Sequence, residues 1–251
     1  MDKVQVYKQP RLYIYTAWAG MKCTGCHLPI IERLIAEVID ELGIEGRTIG
    51  IMGVGCHGAT FALIDVDFMP VAHGPSAAVA TGIKRVLPDA VVITIQGDGD
   101  CSAIGAGHFL NAVHRAEKIT VIMTNNAVFG TTGGQMAPTT LIGQVTLTTP
   151  TGRDPSVGYP AHIAELIAPV KGVAYSARGA VNSPANYQRT KRYLKSALQK
   201  QLNKVGFGFL EILSACPTDW HMSPLEALKW MNEKMIPEFP VGEFKNVDRI
   251  E

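Results

Sequence analysis

Long apolar runs are missing from this sequence, and nothing in it approaches the roughly 18 uninterrupted apolar residues of a membrane-spanning helix. The N-terminal stretch MDKVQVYKQPRLYIY also lacks the apolar core and small-residue cleavage site of a secretory leader. A cytoplasmic chain is the expectation. Charge of one sign is absent too: 23 Lys and Arg stand against 22 Asp and Glu, a net charge of +1. An extended basic surface for nucleic acid is therefore not expected. Cysteine is scarce, at five in 251 residues. A chain of this length builds its core without a disulfide framework, and in a reducing compartment its thiols stay free. Repeats, low-complexity tracts and linkers are all lacking.

What is present alternates between helical and extended patterns. Residues 28–42, LPIIERLIAEVIDEL, place Leu28, Ile31, Leu34, Ile35, Val38, Ile39 and Leu42 at helical spacing. Pro29 suits the first turn of that helix and Gly43 its stop. RTIGIMGVGC reads as a strand running into a glycine turn, and SAAVATGIKRVL as a buried helix. DAVVITIQGDGD contains a continuous apolar run from Val91 to Ile95, suited to a sheet covered on both faces. AIGAGHFLNAVHRAEK is helical and ITVIMTNN is a second buried strand, so the unit is a right-handed parallel crossover. From Ala127 to about Tyr159 the chain is rich in Gly, Thr and Pro with little periodicity, and loops of that length usually carry function. PAHIAELIAPV then reads as helix and VAYSARGAV as strand. SPANYQRTKRYLKSALQKQLNK is a helix with Ser183 as its cap. GFGFLEIL is a strand, and SPLEALKWMNEKM a last helix. One doubly wound α/β domain with a mainly parallel sheet fits this order over residues 1–251, with a cysteine-containing N-terminal segment and a C-terminal helix and tail.

Chemistry concentrates at two places. MKCTGCHLP, residues 21–29, holds Cys23, Cys26 and His27 as C-x-x-C-H. That pattern fits a covalent haem site, half a zinc site, a redox dithiol, or two ligands of an iron–sulfur cluster. Elsewhere, Asp98, Asn126 and Cys216 follow the ends of three strands. Parallel sheets bind ligands at that carboxyl edge. Gly97 and Gly99 allow close backbone approach, and a following helix offers free amides to an anion. A carboxylate and an amide oxygen are hard ligands of the kind magnesium shares with phosphate oxygens. The residues thus point to a magnesium–diphosphate site.

G-D-G at 97–99 and N-N at 125–126, followed by NNAVFGTTGGQMAPTT, resemble the thiamine diphosphate motif of 2-oxoacid:ferredoxin oxidoreductases. The resemblance is to their β subunit of the 2-oxoglutarate or branched-chain 2-oxoacid type. It runs over nearly the whole chain, through VGC, AHG…AVATGIKR, QGDGD, TGGQMAPTTLIGQ, NSP and CPTDW…PLEALKW. It implies magnesium held by Asp98, Asn126 and the Val128 carbonyl. It implies a diphosphate lined by Gly97, Gly99 and Asp100, with Gly130 and Thr131 beyond the metal loop. Val54, Gly55, Cys56, His57 and His73 would also approach the cofactor, His73 as a candidate catalytic residue. Cys23, Cys26, Cys56 and Cys216 would hold a 4Fe–4S cluster, leaving Cys101 over. The implied reaction is oxidative decarboxylation of a 2-oxoacid to acyl-coenzyme A and carbon dioxide, with electrons passing through the cluster to ferredoxin, its physiological direction open. The implied partners are an α subunit that supplies the activating glutamate, and γ and ferredoxin-like δ subunits.

Two positions depart from the family pattern. His27 stands where C-P-G-C-G-H-G has a glycine, and Pro75 where H-G-R has an arginine. His27 reads as a helix-start residue able to donate a hydrogen bond to a cluster sulfur. Cys101 reads as a small buried hydrophobe, and His108 and His114 as packing or surface residues. Two other functions share part of the pattern: a non-redox thiamine decarboxylase or carboligase, and a non-enzymatic metal or haem electron-transfer protein.

Overall fold

A computed structural model describes residues 9–14 and 22–250. Much of the N-terminal stretch read for a leader, together with Met21, lies outside them. Helix α1, Leu28–Leu42, spans the residues its periodicity predicts, with Pro29 in its first turn and Gly43 left-handed at its end. Strand β1, Thr48–Met52, opens the sheet, and β2, Asp67–Pro70, follows a 3-10 turn over Cys56–Ala62. Next come α2, Ser76–Val86, and β3, Val91–Gly97. A π-helical turn, Asp100–Ile104, leads into α3, Ala106–His114, and β4, Thr120–Asn125, closes the crossover.

Seven strands form one sheet in the order β2-β1-β3-β4-β8-β7-β9. Here β7 is Val173–Ala180, β8 is Phe207–Leu213 and β9 is Gly242–Asn246. All neighbours pair parallel except β7 with β9. The alternation along the central strands sorts the core into two layers. Ile93, Ile95, Ile122, Leu210 and Ile212 pack with α1 and with α5, Pro184–Leu202. Val92, Val121, Met123, Phe207 and Phe209 pack with α2, α3 and α4, Ile163–Ile167. Helices thus cover both faces, which is why the strands read as continuous apolar runs. Because β2 lies on one side of β1 and β3 on the other, the winding reverses there and opens a crevice at the carboxyl ends of β1 and β3.

The stretch after β4 is irregular apart from a small ladder between β5, Val128–Phe129, and β6, Gln135–Met136. Buried Arg153 organises it, donating to the Pro138 carbonyl at 2.9 Å, Gly158 at 3.0 Å, Tyr159 at 2.9 Å, and Thr140. Ser183 caps α5 and accepts from the Asn186 amide at 3.2 Å. Ser223 and Glu226 form a capping box on α6, Pro224–Trp230. Two expectations needed adjusting: the helix read at PAHIAELIAPV is only α4, and the one read after QGDGD ends at His114. Strands β2 and β9, which carry no strong alternation, had no counterpart in the sequence reading. Among the described residues no helix is long and apolar enough to cross a membrane.

One ion pair lies inside the sheet. Arg178 on β7 and Glu211 on β8 are both fully buried, with Nε and Oε2 2.9 Å apart. Arg178 also donates to Glu165 at 2.7 Å and stacks 5.2 Å from the Phe239 and Phe244 ring centres. Replacing it with Met strands a buried carboxylate, so Arg178→Met is expected to cost about 3–5 kcal/mol. Adding Glu211→Gln should recover most of that loss, as measured by urea denaturation of the single and double variants.

Candidate functional site

The carboxyl edge of the sheet opens into a cavity of about 380 Å³. Every site residue proposed from the sequence lines it. Val54, Gly55, Cys56 and His57 follow β1; His73 precedes α2; Gly97, Asp98, Gly99 and Asp100 follow β3. Asn126, Val128, Gly130 and Thr131 follow β4, Cys216 follows β8, and Cys23 and Cys26 precede α1. Gly99 is required sterically, since a Cβ there would collide with the Phe129 ring.

Asp98, the Asn126 side-chain amide and the Val128 carbonyl converge on one point. The terminal atom of Asn126 that faces the other two lies 2.7 Å from the Val128 carbonyl and 3.2 Å from Asp98 Oδ1. With amide nitrogen in that place, Asn126 donates to both neighbours and closes the set without an ion. With oxygen there, three acceptors crowd one point and the Val128 amide donates to Asn126 Oδ1 at 3.3 Å. The second arrangement is what a magnesium-sized cation with oxygen ligands needs. Asp98 is 1% exposed, and Thr139 Oγ1 donates to its other oxygen. Burial pushes the Asp98 carboxyl up to about 7, so a cation there would also stabilise the ionised form.

Asp100, expected along the diphosphate, directs its carboxylate elsewhere. It accepts from Gln96 Nε2 at 2.6 Å and from the Gly74 amide at 2.7 Å, and it holds His73 Nδ1. That leaves His73 Nε2 as the ring nitrogen not engaged by Asp100, with the Phe129 ring edge-on at 6.1 Å. His57 is 2% exposed, and its Nε2 has no partner among the described residues. Burial holds that imidazole down at about 4.

Four of the five cysteines stand on the same cavity wall. Cys56 Sγ is 3.0 Å from Thr131 Oγ1, Cys216 Sγ donates to Asp219 at 3.1 Å, and the Leu28 amide donates to Cys26 Sγ at 3.5 Å. Burial pushes the Cys26 thiol up to about 11. Among the described residues no three His, Cys, Asp or Glu side chains close on one ion. Zinc would need its ligands about 2.3 Å from a single centre. A cubic iron–sulfur cluster instead spreads four thiolates over four irons, around a hollow. Thiols ringing a cavity suit the second group. Cys101 is fully buried in the core beneath α2 and α3, as its reading expected.

His27 stands at the start of α1, as its reading expected, but not as a side-chain cap. Its side chain makes no cap bond; instead Nδ1 accepts from the Ala215 amide at 3.2 Å, beside Cys216. Burial holds that imidazole down at about 4. Sequence reading also missed the supports of the loop after β4. Asn125 Nδ2 donates to Glu211 at 2.7 Å while its Oδ1 accepts from the Ala127 amide at 3.0 Å. Trp220 Nε1 donates to the Asn126 carbonyl at 3.0 Å. A charged residue at the centre of GFGFLEIL was the available signal for Glu211.

Asp98 sets a pH dependence. Its folded value lies above the usual carboxylate value, so the metal-free protein loses stability as pH rises from about 4 through about 7. Asp98→Asn removes that loss. Denaturation of both proteins without metal should show the variant gaining on the parent across this window, and magnesium with thiamine diphosphate should stabilise only the parent.

The domain described as thiamine pyrophosphate enzyme, C-terminal TPP binding domain, matches residues 52–212. The ketoisovalerate oxidoreductase subunit VorA of Methanothermobacter thermautotrophicus is 44% identical over 225 residues, 89% of this chain and 47% of that one. The 2-oxoglutarate synthase subunit KorB of Archaeoglobus fulgidus is 34% identical over 211 residues, 84% of this chain and 75% of that one. This chain therefore spans about half the length of its VorA relative. In fold it is similar to 2-oxoglutarate:ferredoxin oxidoreductase from Magnetococcus marinus, with a TM-score of 0.78 at 24% identity, over 98% of this chain and 87% of that one. The chain belongs to the thiamine pyrophosphate-binding family and, within it, to the subunits of 2-oxoacid:ferredoxin oxidoreductases.

Proposed function

We propose that this chain is the thiamine diphosphate-binding β subunit of a 2-oxoacid:ferredoxin oxidoreductase, a single domain acting in the cytoplasm. The observation that carries the reading is the convergence of Asp98, Asn126 and the Val128 carbonyl in a cavity that four cysteines also line. Asp98, Asn126 and the Val128 carbonyl would hold magnesium, and Gly97 and Gly99 would let the diphosphate approach the backbone. Cys23, Cys26, Cys56 and Cys216 would hold a 4Fe–4S cluster. Bound there, thiamine diphosphate supplies the electron sink for decarboxylation and the cluster supplies a one-electron acceptor beside it. Asp100 fixes the His73 ring and presents Nε2 for proton transfer. His57 Nε2, buried and unpartnered, is available to a polar group of the cofactor.

A partner α subunit would supply the activating carboxylate, with γ and ferredoxin-like δ subunits completing the complex. The exposed apolar side chains Ile142, Val145, Leu147 and Tyr159 on the loop after β4 suit burial against another chain. The relatives' names support a 2-oxoacid substrate, and coenzyme A would accept the acyl group in a reaction open to either direction.

The complex, purified anaerobically, should bind thiamine diphosphate with magnesium and contain iron and sulfide. It should reduce viologen on addition of a 2-oxoacid and coenzyme A, with 2-oxoisovalerate and 2-oxoglutarate as the first pair compared. Decarboxylation without viologen reduction would replace this reading with a non-redox decarboxylase. Iron without thiamine diphosphate binding would replace it with an electron-transfer protein. His73→Asn should lower kcat about 10²–10⁴-fold while thiamine diphosphate affinity, measured by calorimetry, stays close to the parent value.

A further inference from the structure

The Cys23–Cys26 turn is fixed at both ends. At its far end, the His27 ring accepts from the Ala215 amide, and the His27 amide donates back to the Ala215 carbonyl at 3.5 Å. The turn itself lies against the segment after Cys216. A Cβ on Gly25 would stand 2.7 Å from Pro224 and 3.2 Å from Pro217. These contacts register the first two thiols against Cys216 and leave the Cys56 loop to be brought in.

Lys22 reaches that loop. Its Nζ donates to the Cys56 carbonyl at 2.6 Å and pairs with Glu32 Oε1 at 2.9 Å. The same Glu32 oxygen accepts from Thr60 Oγ1 at 2.8 Å, in the turn that Cys56 begins. Both charged side chains are nearly inaccessible, at 6% for Lys22 and 1% for Glu32. Burying an ion pair costs more than burying apolar groups of the same shape. The pair joins no strand and caps no helix, and its contacts run to the turn that carries Cys56.

We propose that Lys22 and Glu32 are positioning residues that hold the Cys56 loop in register with the Cys23–Cys26 turn, so that the four thiols ring one iron–sulfur cluster. The inference rests on the cluster reading given above. Ligands drawn from three separate segments lose conformational freedom when they bind, and loops already tied together lose less. Outer contacts of this kind typically change metal retention without touching the metal.

The test compares the anaerobically purified complex with its Lys22→Met/Glu32→Gln and Lys22→Arg variants. Removing both charges together avoids leaving one buried and unpaired, so the fold should tolerate it. Three quantities are read: iron release to a chelator, thiamine diphosphate affinity, and the thermal midpoint of the metal-free chain. The double variant should release iron about 10–100-fold faster, with the other two quantities close to the parent. Lys22→Arg, which keeps both the pair and the reach, should retain iron like the parent. Iron release in the double variant within twofold of the parent overturns the proposal. So does a matching fall in the metal-free midpoint, or failure to fold, since the pair would then serve the fold alone. A parent complex with no iron strikes the cluster reading itself, before any variant is compared.

Discussion

The arrangement at the cavity depends on a charge buried where no water can reach it. Arg178 and Glu211 face each other inside the sheet, and Glu211 passes the constraint to Asn125 at the end of β4. Asn125 in turn fixes the Ala127 amide, so the backbone at Asn126 and Val128 has little choice of direction. A charge pair without solvent holds its geometry only when its remaining donors and acceptors are also engaged. Glu165, the Pro240 carbonyl and two aromatic rings provide that engagement for Arg178. The rigidity of the loop after β4 is thus drawn from the middle of the sheet.

On this frame the loops at the carboxyl edge divide their labour. Those after β3 and β4 bring oxygen, and those after β1 and β8 bring sulfur, as does the turn before α1. Hard and soft donors therefore line one hollow together, as a magnesium–diphosphate group beside an iron–sulfur group would require. Arg153 gives the long loop after β4 its shape through carbonyl contacts alone.

Much of this was legible in the sequence because strand ends announce themselves. The apolar runs ending at Gly97 and Asn125 located the edge, and the cysteines at Cys56 and Cys216 lay just beyond two other strands. What remained hidden is long-range by nature. Nothing local pairs Arg178 with Glu211, or Lys22 with the Cys56 carbonyl, because each contact joins segments far apart in the chain. His27 is instructive for the same reason. Its neighbours suggested a helix start, which it is, but nothing local named its hydrogen-bond partner, which lies beyond β8. Strands β2 and β9 escaped notice because they sit at the sheet edges, where half the surface is wet and the apolar pattern is diluted.

Gly130 stands close to both Cys56 and Asn126. A Cβ placed on it would lie 3.3 Å from Cys56 Sγ and 3.2 Å from the Asn126 side chain. A side chain at this position would press on the loops after β1 and β4 at once, and one of them would have to give by a few tenths of an ångström.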